Sequence, residues 1–544
     1  MVNLNLKKMK RIYIVSFIAL TALFFGCQED FLDLTPQDKL NSGDVWKDPK
    51  LIELVINEMY QQLPDGFNRG WYMMASTSDD AENSYGWTGG QAFNRGDFNP
   101  SSYPYGGIWN NNFQMIRQAN LFFGNIDQAE NIDGDVKSRM VGEVNFLRAF
   151  YYFDLMRHYG GVPLLDEALS LDDDFNISRS SKDEIIAFIV SDLDAAISML
   201  PVSHPGNLLG KATKGAAQAL KGRVLLYAEK WVESAAASKQ VMDSGNYDLF
   251  SDYHTLFTEA GDNNAEVIFD KQFQDPDFGH WAHLFNQPIG YTGGWGGTSP
   301  TQELVDAYEM TDGMSIDESP LYDEANPYDN RDPRFEASIL YEGSMWRDRA
   351  VETRLGGLDG IEKNGDATKT GYYMKKFLDE DFENYGWGQQ QGSNNWIYIR
   401  YAEVLLNYAE AQNEAAGPDA SVYAAVNAVR GRSGVNMPEL PTGLTKDEMR
   451  EKIRHERRIE LAFEEHRFFD LRRWGTAETI LNQPIHGMRI GPNGELTGAD
   501  AQGKPYGVFE VEPRIFLPHH YLAPIPQGEI DKLGEAVLQQ NPGY

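Results

Sequence analysis

Residues 445–475 begin Thr445-Lys446-Asp447-Glu448, continue through RHERRIELAFEEHRFFDLRRW without a Gly or Pro, and stop at Gly475. Thr445 at the N-cap can accept from the Glu448 amide while the Glu448 carboxylate reaches back, and Leu444 and Met449 stand at the staple positions. The pattern predicts a single helix, about 40 Å long if unbroken at 1.5 Å per residue. Its apolar residues, among them Ile453, Ile459, Leu461, Phe463, Phe468, Phe469 and Trp474, point all round the axis, which is the pattern of a buried helix. Glu456, Arg457, Glu460, Glu464, Arg467, Asp470 and Arg472 share the same turns. A buried charge persists only when it is paired and hydrogen-bonded. The helix is therefore expected at the centre of the fold, with its charges answered internally.

The N-terminus carries a different signal. Lys7, Lys8, Lys10 and Arg11 precede a mostly apolar run over 12–25, followed by Gly26 and Cys27. The run is too short for a membrane span and ends in a small residue before Cys, so residues 1–26 read as a lipoprotein signal peptide and Cys27 as the lipidated residue. Phe24 stands where such cleavage boxes usually carry Leu, and Met9 is an alternative start to Met1. Cys27 is the only cysteine, which excludes an intramolecular disulfide and a Cys-based zinc site. Residues 1–26 hold four of the 48 basic residues and none of the 81 acidic ones, so their removal takes the net charge from −33 to −37. Such a surface disfavours nucleic acid and anionic lipid head groups.

Past an acidic tether over 27–45, helices are expected at 48–63, 108–129 and 136–159. A second capping box, Ser181 to Glu184, opens another that ends before Pro201. Residues 213–230 and 231–244 form a helical pair with small residues at the contact, and 397–416 and 419–432 form another. The expected fold is mainly α: tetratricopeptide-like helix pairs in one globular unit, 46–544, with the scaffold over about 46–245 and 396–480. Segments 64–107 and 246–395 are long, irregular and rich in aromatics, with a few short strands such as 266–269 and 371–377. Long loops of this kind are usually functional.

YIRYAEVLLNYAEAQNEAAG (398–417), NAVRGRSG (427–434), HERRIELAFEEHRFFDLRRWG (455–475) and the ending APIPQGEI…QQNPGY resemble the SusD/RagB family of outer-membrane nutrient-binding lipoproteins. EVNFLRAFYYFDLMRHYGGVPL (143–164), DAYEMTDG (306–313) and NRDPRF (330–335) are similar to further landmarks of that family. The resemblance implies a helical protein anchored by lipid through Cys27 in the outer membrane, facing the cell exterior. It also implies a partner, a SusC-like TonB-dependent transporter, to which captured glycan is delivered, and binding rather than catalysis. Ligand-contacting residues vary across the family and are argued here from chemistry.

A sugar site needs exposed aromatic planes with planar polar groups close by. Residues 78–95 supply Asp79, Asn83, Tyr85, Trp87 and Arg95 in one loop; the YTGGWGG run supplies Tyr291 and Trp295; Trp346 is a further candidate. Glycines beside Trp87 and Trp295 let each indole stand clear of its backbone. No metal or cofactor is expected: His455 and His466 are about 16 Å apart along a helix and lack the His-Glu-x-x-His spacing. The alternatives are a surface glycoside hydrolase using the same cleft, and a peptide-binding member of the family.

Overall fold

The computed structural model describes residues 45–67, 72–382 and 391–544. The expectations for residues 1–26 and Cys27 lie outside them. Helix α1 (Pro49–Gln61) starts where the Asp48 side chain accepts from the Lys50 amide, with Pro49 at the first helical position, where a missing N–H costs nothing. The segment expected as loop over 64–107 contains strand β1 (Ala81–Asn83) and short helix α2 (Gly90–Asn94). Then follow α3 (Gly107–Asn125), α4 (Gly134–Tyr159), α5 (Lys182–Met199), α6 (Lys214–Tyr227) and α7 (Trp231–Asp243). The Ser181–Glu184 capping box is formed. At the α6–α7 contact, a Cβ on Gly222 would stand 2.8 Å from Ser238 Oγ, so the small residue is what brings the two backbones together.

The second half supplies β2 (Val267–Lys271), α8 (Ala282–Asn286), β3 (Thr298–Pro300), α9 (Gln302–Ala307) and α10 (Pro333–Ser338). After these come β4 (Trp396–Arg400), α11 (Tyr401–Ala416), α12 (Ala420–Arg430), α13 (Lys446–Glu460) and α14 (His466–Arg473). Helices pack in sequence from α3 through α7, and α11 joins α7 to α12 and α13. The architecture is mainly helical with short strands only, a scaffold of helix pairs.

Two expectations need correction. Residues 397–400 are strand, not the start of a helix. Their alternating β-branched and aromatic side chains suit a pleated ladder, and β4 pairs antiparallel with β2. The ladder lies on α4, where Phe146 meets Phe269 edge-on at 4.7 Å and Phe150 meets Tyr398 at 5.1 Å.

The expected 445–475 helix is two helices. Its capping box forms as expected, but residues 461–465 are turns, with Phe463 (φ 65°) and Glu465 (φ 63°) left-handed. The cause is competition for the Glu460 carbonyl. In a continuous helix it would accept from the Glu464 amide; here it accepts from Arg400 NH2 at 2.7 Å, Lys376 Nζ at 3.3 Å and the Tyr253 hydroxyl. The Glu464 amide turns instead to Leu461 O at 3.1 Å. The charges are answered internally. Glu460 accepts from Arg400 NH1 and Arg432 NH2 at 2.6 Å each and from Arg334 NH1 at 2.9 Å, with all four side chains buried.

Candidate functional site

The candidate surface stands on the β1–β3 ladder, in which Ala81 faces Pro300, Glu82 faces Ser299 and Asn83 faces Thr298. The pairing continues past the strands: Ser84 N donates to Gly297 O at 2.9 Å and Ser84 Oγ to Gly296 O at 2.7 Å. The turn after β1 and the turn before β3 are thereby held side by side. Trp87 leaves from the first and Trp295 from the second.

Tyr85 lies between the two indoles. Trp87 stacks on it, centroids 5.5 Å apart and planes 19° apart, and Trp295 meets it edge-on at 6.3 Å and 90°. Both geometries are favourable for rings with a negative face and a positive edge. Trp87 is 59% exposed, Trp295 is half-buried against Phe285, and Tyr85 is fully buried. Burial and the neighbouring Asp366 carboxylate push the Tyr85 phenol well above its ordinary value. It remains protonated and donates to Phe285 O at 2.6 Å. Gly297 is needed here: a Cβ on it would come within 2.6 Å of the Tyr85 hydroxyl.

Five sequence candidates are structural rather than exposed. Asn83 is buried; its Oδ1 accepts from the Tyr85 amide at 2.9 Å and its Nδ2 donates to Thr88 Oγ1, so it braces the turn as an Asx motif. Tyr85 is the floor under Trp87. Tyr291 is buried with its hydroxyl donating to Trp346 O at 2.9 Å and the Arg349 guanidinium 3.8 Å above its ring. Trp346 is fully buried in the same small core, with Leu340, Val351, Tyr373 and Leu378. Asp79, 7% exposed, is bound by Arg467 through both oxygens at 2.8 Å and faces Arg458 NH2 at 3.1 Å. Burial alone would raise its carboxyl; the two guanidinium groups outweigh that and hold it below the usual carboxylate range. Arg95 is exposed and pairs with Asp97 at 3.3 Å.

Three polar groups were missed. Thr88 and Gln91 sit in the Trp87 turn, Thr88 Oγ1 donating to Tyr85 O at 3.2 Å and Gln91 Nε2 to Asn83 O at 3.3 Å. Asp366 is exposed and its backbone oxygen lies 2.9 Å from where a Gly296 Cβ would be. The first two carried a signal, polar residues among glycines; Asp366 carried none, being some seventy positions beyond Trp295 in the chain. Two indoles, with the Thr88 hydroxyl and Gln91 amide in the Trp87 turn and the Asp366 carboxylate near Tyr85, make a surface that can stack against a flat apolar face and hydrogen-bond to hydroxyls around it.

A model described as the SusD family matches residues 265–544, and one described as starch-binding associating with outer membrane matches residues 30–226. A SusD-like protein from Bacteroides fragilis is 34% identical in sequence, with 94% of this chain and 100% of that one covered at a TM-score of 0.81. A SusD-like carbohydrate binding protein from the same organism is 29% identical over 91% of this chain and 99% of that one, with a TM-score of 0.80. A SusD-like protein from Formosa agariphila is 25% identical over 98% of this chain and 99% of its own length.

Proposed function

Since the chain belongs to the SusD family, we propose that it captures oligo- or polysaccharide at the cell surface and delivers it to a partner TonB-dependent outer-membrane transporter. The observation that carries the reading is Trp87, a majority-exposed indole propped in a fixed orientation by a buried Tyr85. Leaving so large an apolar plane in water is costly unless something covers it. Trp87 and Trp295 are the stacking residues, and Thr88, Gln91 and Asp366 the hydrogen-bonding rim. Asp79, Asn83, Tyr291 and Trp346 act behind them as supports.

The likeness to the SusD-like carbohydrate binding protein of Bacteroides fragilis supports the ligand class. The description of the family matching residues 30–226 supports association with the outer membrane, and Cys27 is the group through which lipid would hold the chain there. The role is binding, without bond cleavage. Affinity electrophoresis of the protein through gels containing a panel of polysaccharides tests it. Retardation by at least one neutral glycan, without release of reducing ends, is expected. Mobility unchanged across the panel would overturn the ligand class, and release of reducing ends would overturn the assignment as a binding protein.

A further inference from the structure

A second feature lies away from the Trp87 surface, where the C-terminal segment meets the loop over 93–103, the end of α4 and α14. A small, largely enclosed cavity there has a volume of ≈ 10 Å³, about the least that one bound water or monatomic ion needs. Its wall is largely aromatic, from Phe93, Phe98, Tyr103, Phe468 and Tyr544. Four nitrogen-bearing side chains also line it, Arg157, His158, Arg472 and His520.

Arg472 NH1 donates to Phe468 O at 2.8 Å and the guanidinium lies 3.5 Å from the Phe468 ring centroid. Its NH2 is buried and has no hydrogen-bond partner among the described residues. Burial lowers the Arg472 pKa to about 10, and the groups that oppose the shift most are tyrosines, not carboxylates. The other guanidinium on the wall, Arg157, is by contrast paired with Asp154 at 2.6 Å. His520 is 4% exposed, and its Nδ1 accepts from the Leu517 amide at 3.1 Å. The ring proton of the neutral imidazole therefore sits on Nε2. Burial lowers the His520 pKa to about 4, helped by His519 and Arg472, so the ring is neutral at physiological pH. Nε2 is likewise buried with no hydrogen-bond partner among the described residues.

The wall thus includes two buried N–H groups without a hydrogen-bond partner among the described residues, one of them cationic, set among aromatic side chains. A water could accept both bonds but would leave the guanidinium charge uncompensated, and a buried charge strongly favours a counter-charge. Aromatic edges are electropositive and also favour an anion. We propose that this cavity is a single-ion halide site, occupied by chloride, held by Arg472 NH2 and His520 Nε2–H and tying the C-terminal segment to α14.

Bromide tests it on the intact chain. Crystals soaked in sodium bromide should show an anomalous peak at the bromine edge within hydrogen-bond reach of Arg472 NH2 and His520 Nε2. In solution the melting temperature should rise saturably with sodium chloride or bromide, by about 2 °C or more over sodium gluconate at equal ionic strength. Arg472→Gln and His520→Phe should each abolish that halide-specific increment. Density in the cavity without anomalous signal means water alone and overturns the proposal, as does an equal response in gluconate. If Arg472→Gln does not fold, His520→Phe and the bromide peak of the unaltered chain still decide.

Discussion

Asp79 and Arg467 meet through two parallel hydrogen bonds of 2.8 Å each, joining the segment just before β1 to the first turn of α14. Arg458, on α13, reaches Asp79 and the Oδ1 of Asp80 from the other side of the break at 461–465. The central helix is broken, and the two aspartates that precede β1 bind a residue from each of its halves. This pins the ladder that carries Trp87 to the core. Asp79→Ala leaves Arg467 without its bidentate partner in a site where both side chains are largely buried. A loss of about 3 kcal/mol in urea unfolding is expected, together with weaker glycan retardation. A loss below about 1 kcal/mol would show the pair behaving as a solvated surface contact.

Trp87→Ala should weaken glycan binding about five-fold or more, the equivalent of roughly 1 kcal/mol of lost stacking. Its melting temperature should stay close to that of the parent, since most of the side chain is already in water. Trp295→Ala differs: half-buried against Phe285 and Tyr85, it should lose affinity and about 1–3 kcal/mol of stability together. Calorimetric titration beside thermal melting separates the two. Unfolding of Trp87→Ala would sink its assignment as a platform.

Glu460→Ala removes the acceptor shared by Arg334, Arg400 and Arg432. Three buried guanidinium groups then converge on fewer carboxylates, and a cost of about 3–5 kcal/mol is expected. Chemical denaturation followed by near-UV circular dichroism reads it, and a variant as stable as the parent would contradict the pairing described.

Glu82, in β1, titrates far from its ordinary value. Burial raises its carboxyl to about 8, Arg514 opposing and Glu512 adding to the shift. Arg514 NH2 donates to Glu82 Oε2 at 2.7 Å and Asn94 Nδ2 to the same oxygen at 3.0 Å. Between the ordinary glutamate value of 4.5 and about 8, the folded chain keeps a proton there that the unfolded chain has released. The contribution is present below that window and is lost as pH rises through it, with a slope approaching about 1.4 kcal/mol per pH unit. Glu82→Gln mimics the protonated form and should flatten the difference in stability between pH 5 and 8 relative to the parent. Parallel pH profiles of the two proteins would remove Glu82 as the source.

Much of the scaffold was legible because its helix ends are signed by their own side chains: Asp48, Ser181 and Thr445 cap as their residue types and spacing suggest. The break at 461–465 was not, because the donors that take the Glu460 carbonyl come from Tyr253, Lys376 and Arg400, all remote in sequence. The strand at 396–400 was hidden by its continuity with α11, and only its partner β2 decides its state. At the surface, the flanking glycines marked the exposure of Trp87, whereas Trp295, expected to stand clear in the same way, is half-buried against Phe285 and Tyr85. The burial of Tyr85 could not be read locally, since its hydroxyl is answered by a carbonyl 200 positions away. Tyr291 and Trp346 were misjudged for the same reason: a loop rich in aromatics can be building a small core of its own.

The β1–β3 ladder is three residues long on each side and is extended past its ends by Ser84 bonding to the backbone of Gly296 and Gly297. Main-chain groups make the ladder, so it asks almost nothing of the exposed Trp87 side chain, whereas Trp295 packs on Tyr85 and Phe285 and a Cβ on Gly294 would meet Pro288 O. Position 87 can be rewritten without disturbing the frame that presents it. If the proposed surface is where glycan binds, ligand preference is an editable property: exchanging Trp87 for another ring should retune which sugar is gripped, while the helices behind it go on folding as before.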